Sequence, residues 1–137
     1  MKKTKILVPL DGTERSMHSL NWLKNFFNKD DIEITLIHVR ELLLTNDIVF
    51  SNQFEYLADE SELILDTAIK ELDGYIVKKF SICGYAGTEI LKKTEEENYD
   101  IIIMTKSSRK GLPRIVVGSV TSKVIKHALI PVLIIPE

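Results

Sequence analysis

Short apolar runs alternate along the chain with longer segments in which apolar residues recur at helical spacing. Runs of this kind are typical of strands buried on both faces of a parallel sheet. The five predicted strands are Lys5–Leu10, Ile32–Val39, Ile76–Cys83, Asp100–Met104 and Pro131–Ile135. Strict alternation with helices indicates parallel strands joined by right-handed crossovers. We therefore predict a three-layer α/β sandwich with its site at the carboxyl ends of the strands.

The four predicted helices fall between these strands, and their ends follow from capping residues and helix-stopping residues. They lie within Thr13–Asn28, Leu57–Leu72, Thr88–Glu97 and Ser119–His127. At the start of the first helix, Thr13 is expected to act as the cap. The expected core face of that helix comprises Met17, Leu20, Leu23, Phe26 and Phe27, with Trp22 beside them.

The sequence predicts the structure of two connections, Arg40–Glu55 and Gly84–Gly87, less clearly than that of the strands and helices. Arg40–Glu55 shows no clear periodicity, and its length favours a crossing loop that contains a helical piece. Gly84–Gly87 is typical of a turn. In the strand before that turn, Lys78 and Lys79 indicate an exposed position at the edge of the sheet.

The composition is that of a globular protein, with 45% hydrophobic and 28% charged residues in a chain of 137. This length favours one domain spanning residues 1–137. No apolar run approaches the roughly 20 residues of a membrane span, and Met1–Lys3 leads directly into a strand, so we expect a cytoplasmic protein without membrane contact. The net charge of -2 disfavours nucleic-acid binding. The single cysteine, Cys83, has no partner for an internal disulfide.

The segment Ile101–Ala128 combines a buried strand, a basic loop and the pair Gly118-Ser119, which opens an apolar-striped helix. Folds of the α/β class build anion sites in this way, because unpaired backbone N–H groups and the helix dipole meet at the start of the helix. The cations of the loop, with no acid among them, are Lys106, Arg109, Lys110 and Arg114. They are candidates for contact with a phosphate or an acidic partner, and solvated surface is the alternative. Gly118-Ser119 alone also fits a simple helix cap.

Four stretches of the sequence carry a pattern known from other proteins. They are ILVPLDGT at Ile6–Thr13, LIHV at Leu36–Val39, GYAGTEIL at Gly84–Leu91, and IIIMTKSS through GSVTSKVIKHALIPVLIIP at Ile101–Pro136. Together these stretches resemble the universal stress protein family in its single-domain form. The resemblance implies an adenine-nucleotide α-hydrolase-like sandwich with a five-stranded sheet in the order 3-2-1-4-5.

Many members of that family bind ATP through the pattern G-x-x-G-x9-G-[ST], which runs from the fourth strand to the fourth helix. Here the final Gly-Ser pair is intact, but Thr105 and Ser108 stand where the two earlier glycines belong. Asp11 and Val39 match the positions that hold ribose and adenine. The resemblance implies a site for ATP or another adenine nucleotide, with Mg²⁺ as an optional companion. The residues implied are Pro9, Asp11, Val39, Met104, Thr105, Ser108, Gly118, Ser119 and Val120.

The two glycine replacements have opposing consequences for such a site. Glycine lets the backbone approach a ligand closely and adopt positive φ, which is costly for a β-branched threonine. If Thr105 or Ser108 held such a conformation, strain of about 1–3 kcal/mol each would weaken binding. Against this, both hydroxyls and the cations of the basic loop offer new contacts to a phosphate. The sequence leaves both outcomes open.

Catalytic patterns are absent from the sequence, which has no Walker A motif, no nucleophile elbow and no paired acids, so we do not expect an enzyme. His18, His38 and His127 lie on three elements without metal-ligand spacing and are expected to be structural. The first functional hypothesis is a nucleotide-binding stress or signalling protein, and the second is a nucleotide-free protein-interaction module. A nucleotide hydrolase is the third and weakest hypothesis, because no acid is placed by a motif to activate water. By resemblance, the closing strand PVLII implies a homodimer paired through that strand.

Overall fold

The computed structural model describes residues 2–41, 51–106 and 118–136, with the side chains of 51–57 outside this description. Its strands are β1 (Thr4–Leu10), β2 (Ile32–Arg40), β3 (Ile76–Cys83), β4 (Ile101–Thr105) and β5 (Val132–Ile135). Its helices are α1 (His18–Phe26), α2 (Ser51–Glu71), α3 (Ala86–Glu96) and α4 (Ser119–His127). All five predicted strands are therefore confirmed, and the bounds of α4 match the prediction.

Two helices begin earlier than the sequence predicts. α2 begins at Ser51 rather than at Leu57, so it includes the last five residues of the connection Arg40–Glu55. The prediction for residues 42–50 of that connection lies outside the described residues. α3 begins at Ala86, which makes the prediction of a turn wrong for its last two residues. The reason is that the N–H of Glu89 already donates to the Tyr85 carbonyl at 2.9 Å, which starts the helical hydrogen bonding there. No helix among the described residues is both long enough and apolar enough to cross a bilayer.

The connection from β1 to α1 contains a short 3₁₀ turn at Arg15–Met17, and α1 follows it directly from His18. The prediction that Thr13 caps α1 is wrong, because the helix starts later than expected and its N-cap residue is Met17. Thr13 instead stabilises the 3₁₀ turn, where its Oγ1 accepts a hydrogen bond from the N–H of Ser16 at 3.2 Å.

The five strands are parallel and lie in the order β3-β2-β1-β4-β5, which confirms the order implied by the resemblance. β1 is central, and the register places Leu10, its last residue, beside His38 of β2. β3 forms one edge, where Lys78 and Lys79 are exposed as predicted. The carboxyl ends of β2, β1 and β4 consequently meet at the same edge of the sheet.

Two apolar clusters cover the two faces of this sheet. The cluster shared with α1 and α2 includes Ile6, Leu20, Leu23, Leu36, Leu65 and Leu72. The cluster shared with α3 and α4 includes Leu7, Ile37, Ile90, Ile102 and Val124. Successive residues of β1 therefore enter opposite clusters, as expected for a strand buried on both sides.

The predicted core face of α1 is wrong at one position, Phe26. Leu20 and Leu23 are buried, whereas Phe26 is 57% exposed and stacks on Trp22 with ring centroids 5.5 Å apart. At 3.6 residues per turn, Phe26 lies about 120° around the helix from Leu20 and so falls outside the buried stripe. The apolar pattern of α1 is broader than the face that the sheet covers.

Candidate functional site

A cavity of about 320 Å³ opens at the carboxyl edge of the sheet, where β2, β1 and β4 end. Its walls come from these strand ends and from the first turns of α3 and α4. Most of the predicted site residues line it, namely Pro9, Asp11, Val39, Met104, Thr105 and Val120. The turn after β1 and the start of the connection after β4 therefore face the same space, as the topology predicts.

Asp11 closes a tight turn directly after β1. Its Oδ1 accepts hydrogen bonds from the N–H of Thr13 at 2.9 Å and from the Thr13 hydroxyl at 2.6 Å. Gly12 lies at φ +86°, in the left-handed region that favours glycine. The Asp11 carboxylate thus stabilises the turn by accepting these two hydrogen bonds from Thr13. Asp11 also lines the cavity.

Thr105 is the last residue of β4 and is buried. Among the described residues only glycines have positive φ, so the backbone strain that a lost glycine could cause is absent at Thr105. Its Oγ1 donates a hydrogen bond to the carbonyl of Ser16 at 3.3 Å. The hydroxyl expected to face a phosphate is therefore directed towards the turn that follows β1.

Gly118 is the N-cap residue of α4 and has an extended backbone, with φ −62° and ψ 160°. Its carbonyl accepts the N–H of Ser122 at 2.9 Å, and the helix starts at Ser119 as predicted. Val120, in the same turn, lines the cavity. The Gly-Ser pair therefore forms a helix start at the cavity border. Outside the described residues lie Ser108, Arg109, Lys110 and Arg114.

The cavity has two chemically different ends. At the end of β2, its lining includes Ile37 and Val39 together with Ile90 of α3. At the ends of β1 and β4, its lining includes the cations Arg15 and Lys106. Because β1 lies between β2 and β4, the apolar wall and Lys106 stand on opposite sides of the central strand, and Arg15 lies on the turn that follows that strand.

Seven residues of the cavity lining were not predicted as site residues: Leu10, Arg15, Ser16, Ile37, Glu41, Ala86 and Ile90. The Glu41 carboxylate accepts a hydrogen bond from the N–H of Ala86 at 3.3 Å, which links the end of β2 to the start of α3. The position of Glu41, directly after a predicted strand, is a signal that could have found it, because sites in such sheets gather at strand ends. Arg15 has no comparable signal, since it occupies a polar position between a turn and a helix.

A sequence profile of the Universal stress protein family matches residues 3–136. The chain belongs to this family. Universal stress protein MJ0577 of Methanocaldococcus jannaschii is 35% identical to it, over 96% of this chain and 93% of its relative. The sequence resemblance is thereby confirmed across nearly the whole chain.

Solved structures of universal stress proteins share the fold. The structure of MJ0577 matches this chain with a TM-score of 0.86 at 33% identity, over 100% of this chain and 98% of the other. A family member from Arabidopsis thaliana, solved with AMP bound, matches with a TM-score of 0.75 at 18% identity, over 98% and 92% of the two chains. The predicted three-layer sandwich is therefore the fold of the family.

On the sheet face opposite the cavity lining, this universal stress protein has a buried polar chain. His38 Nδ1 lies 2.6 Å from Ser61 Oγ of α2, and Ser61 Oγ lies 2.6 Å from Ser81 Oγ of β3. Burial lowers the pKa of His38, and Arg40 lowers it further, against the raising effects of Glu60 and Asp11. His38 thus has a buried hydroxyl partner, which is the environment expected of a structural histidine.

The remaining histidines, His18 and His127, are exposed and lie on α1 and at the end of α4. Among the described residues, no three His, Cys, Asp or Glu side chains are grouped so that they could hold a metal ion. The described part of the chain thus offers a cavity for a small ligand and no cluster of side chains for a metal.

Proposed function

We propose that this universal stress protein binds an adenine nucleotide, ATP or a close relative, in the cavity at the carboxyl edge of the sheet. The observation that carries the proposal is the division of the cavity into an apolar end and a cationic end. An adenine nucleotide has the same division, with a flat apolar base at one end and phosphates at the other. The volume of about 320 Å³ falls within the range of small-molecule sites.

In this proposal the base lies against Val39 and Ile37, at the end of β2. The ribose hydroxyls meet the Asp11 carboxylate, and the phosphates point towards Thr105 and the first turn of α4. There the backbone N–H groups that follow Gly118 and the dipole of α4 favour an anion. Any Mg²⁺ would bind together with the nucleotide and would be coordinated by its phosphate oxygens. The AMP held by the Arabidopsis family member is consistent with a nucleotide in a cavity of this fold.

We further propose that the bound nucleotide regulates the binding of a partner protein and is not hydrolysed. We also propose that the chain acts as a single domain in the cytoplasm. Hydrolysis would need a carboxylate aimed at a water beside the terminal phosphate. In the described cavity lining, Asp11 is engaged by Thr13 and Glu41 stands at the opposite, apolar end.

Isothermal titration with adenosine, AMP, ADP and ATP, with and without Mg²⁺, tests the proposal. We expect saturable binding of at least one nucleotide below millimolar concentration, and loss of that binding in Val39→Trp, because the larger side chain fills the apolar end. Leu63→Trp is the matched control, since Leu63 lies exposed on α2, away from the cavity. No heat and no thermal shift at millimolar nucleotide, with the protein folded, would reject the proposal.

The second candidate is a nucleotide-free homodimeric interaction module, and the edge strand β5 favours it. Among the strands that the structure describes, β5 pairs with β4 alone, and three of its four residues are partly exposed. Leu129, just before β5, is 91% exposed. An apolar edge with unpaired backbone groups favours pairing with an identical strand.

We expect the protein to form a dimer through β5 in either case. Light scattering at micromolar concentration should give twice the chain mass of 15.7 kDa. Ile134→Lys, which places a charge on the edge strand, should shift that mass towards the monomer. A wild-type protein that stays monomeric at these concentrations would contradict the dimer.

A further inference from the structure

The 3₁₀ turn that carries Arg15 is held in place through its neighbour Ser16. Ser16 is buried, and its Oγ donates to the Thr13 carbonyl at 2.8 Å. The Ser16 carbonyl accepts the Ser19 hydroxyl at 2.8 Å and the Thr105 hydroxyl at 3.3 Å. Arg15 therefore stands on a turn that is tied both to the start of α1 and to the end of β4.

Thr105 is one of the two residues that replace a glycine of the family pattern, and its hydroxyl helps to hold the turn of Arg15 by donating to the Ser16 carbonyl. A glycine at position 105 has no side chain to donate to Ser16. The replacement thus removes a small residue from the cavity lining and adds a contact that positions the turn of Arg15. Both consequences concern the same end of the cavity.

The backbone N–H of Lys106 is not available to a ligand at this end of the cavity. It donates to the Ile135 carbonyl at 2.9 Å, which extends the pairing between β4 and β5 by one residue. That N–H is therefore used within the sheet. Lys106 lines the cavity, as does Arg15. Two cations from separate elements consequently face a cavity end in which one backbone donor is already engaged.

We propose that Arg15 and Lys106 bind the outer phosphates of the nucleotide, so that this protein selects ligands by phosphate number. The inference rests on the proposed function and adds to it the residues that would select among nucleotides. The planar guanidinium of Arg15 presents a fork of donors suited to a phosphate, and Lys106 adds a second positive charge. Thr105 acts as a positioning residue, through the turn that carries Arg15. ATP and ADP should bind more tightly than AMP, and AMP more tightly than adenosine.

The test measures adenosine, AMP, ADP and ATP against wild type, Arg15→Gln, Lys106→Gln and the control Lys126→Gln. Lys126 is an exposed cation in the last turn of α4 and does not line the cavity. Each cavity substitution should weaken ATP by about tenfold or more and leave adenosine within about twofold, because contacts to charged groups are stronger than neutral ones. Lys126→Gln should change neither ligand.

Two further variants distinguish a direct contact between Arg15 and the phosphates from an effect of Thr105 on the position of Arg15. Arg15→Lys should recover part of the ATP affinity, since the charge returns without the guanidinium fork. Thr105→Val, which removes the hydroxyl, should weaken ATP in the wild-type background and have little further effect in Arg15→Gln. Thermal melts of every variant establish that the protein remains folded.

The affinity of wild type for ATP should also fall as the salt concentration rises. The affinity of the double variant Arg15→Gln, Lys106→Gln should fall less over the same range of salt.

The outcomes distinguish this inference from the function on which it rests. Equal losses of adenosine and ATP in Arg15→Gln, or an unchanged ATP affinity in both cavity variants, would overturn the phosphate role while nucleotide binding stands. If wild type binds inorganic tripolyphosphate in an Arg15-dependent manner and binds no adenosine, the cation pair is supported and the adenine site fails. If wild type binds none of these ligands, both proposals fall.

Discussion

Replacing Leu23 with Ala is expected to lower the free energy of unfolding by about 2–5 kcal/mol. Leu23 is fully buried in α1, inside the cluster that joins α1 and α2 to the sheet. Truncating it removes apolar surface from the core and leaves a cavity, because close-packed surroundings relax only partly. Urea denaturation followed by circular dichroism measures the loss.

Phe26→Ala is the matched control, because it removes a larger apolar side chain from the same helix. Phe26 is 57% exposed and stacks on the neighbouring ring of Trp22. We expect Phe26→Ala to cost about 1 kcal/mol or less. Equal losses in the two variants would show that the buried stripe of α1 is assigned incorrectly.

Ser61→Ala is expected to lower the free energy of unfolding by about 1–3 kcal/mol. Ser61 is fully buried and bridges His38 of β2 and Ser81 of β3. Its loss leaves a ring nitrogen of His38 without its hydroxyl partner on a buried face, and the cost of an unsatisfied buried polar group exceeds the value of an average hydrogen bond. The same urea titration measures the effect.

Thr67→Ala provides the comparison on the same helix. The Thr67 hydroxyl donates to the Leu63 carbonyl at 2.7 Å, but Thr67 is exposed, so water can replace the bond. We expect a change of about 0.5 kcal/mol at most. A Ser61→Ala variant as stable as Thr67→Ala would mean that the polar chain between the strands and α2 contributes nothing to stability.

The strands could be predicted from the sequence because they are short apolar runs in a sheet covered on both faces, where burial leaves little choice of residue. Helix α1 was harder, since its apolar residues extend around more of the helix than the sheet covers. Phe26 satisfies helical spacing and still points away from the core. Spacing along one helix does not reveal how wide a face its neighbours will bury.

The cavity could be predicted where the family pattern names residues at strand ends, as at Asp11, Val39 and Thr105. Arg15 and Glu41 could not be assigned as partners in one cavity, because they come together only through the strand order. The same limit applies to the partners of His38, since Ser61 and Ser81 lie on other elements. The sequence predicts that a polar residue exists, and the topology decides what it touches.

The glycine replacement illustrates a further limit. Thr105 is expected from sequence either to strain the backbone or to offer its hydroxyl to a phosphate. In the structure it has ordinary strand geometry and its hydroxyl donates to Ser16. Neither expectation includes the neighbouring turn, because the contact joins residues that are 89 positions apart.

The central place of β1 also governs how the chain can assemble. β1 pairs with β2 early in the sequence, whereas the backbone N–H of Lys5 donates to Asp100 Oδ2 across 95 positions. During synthesis, the half of the sheet formed by β1, β2 and β3 can therefore pair before β4 exists. Closing so distant a contact is slow, because the entropy of the long intervening chain is lost first. We therefore expect the cavity at the carboxyl edge, which needs β4 for one of its walls, to be among the last features of the fold to form.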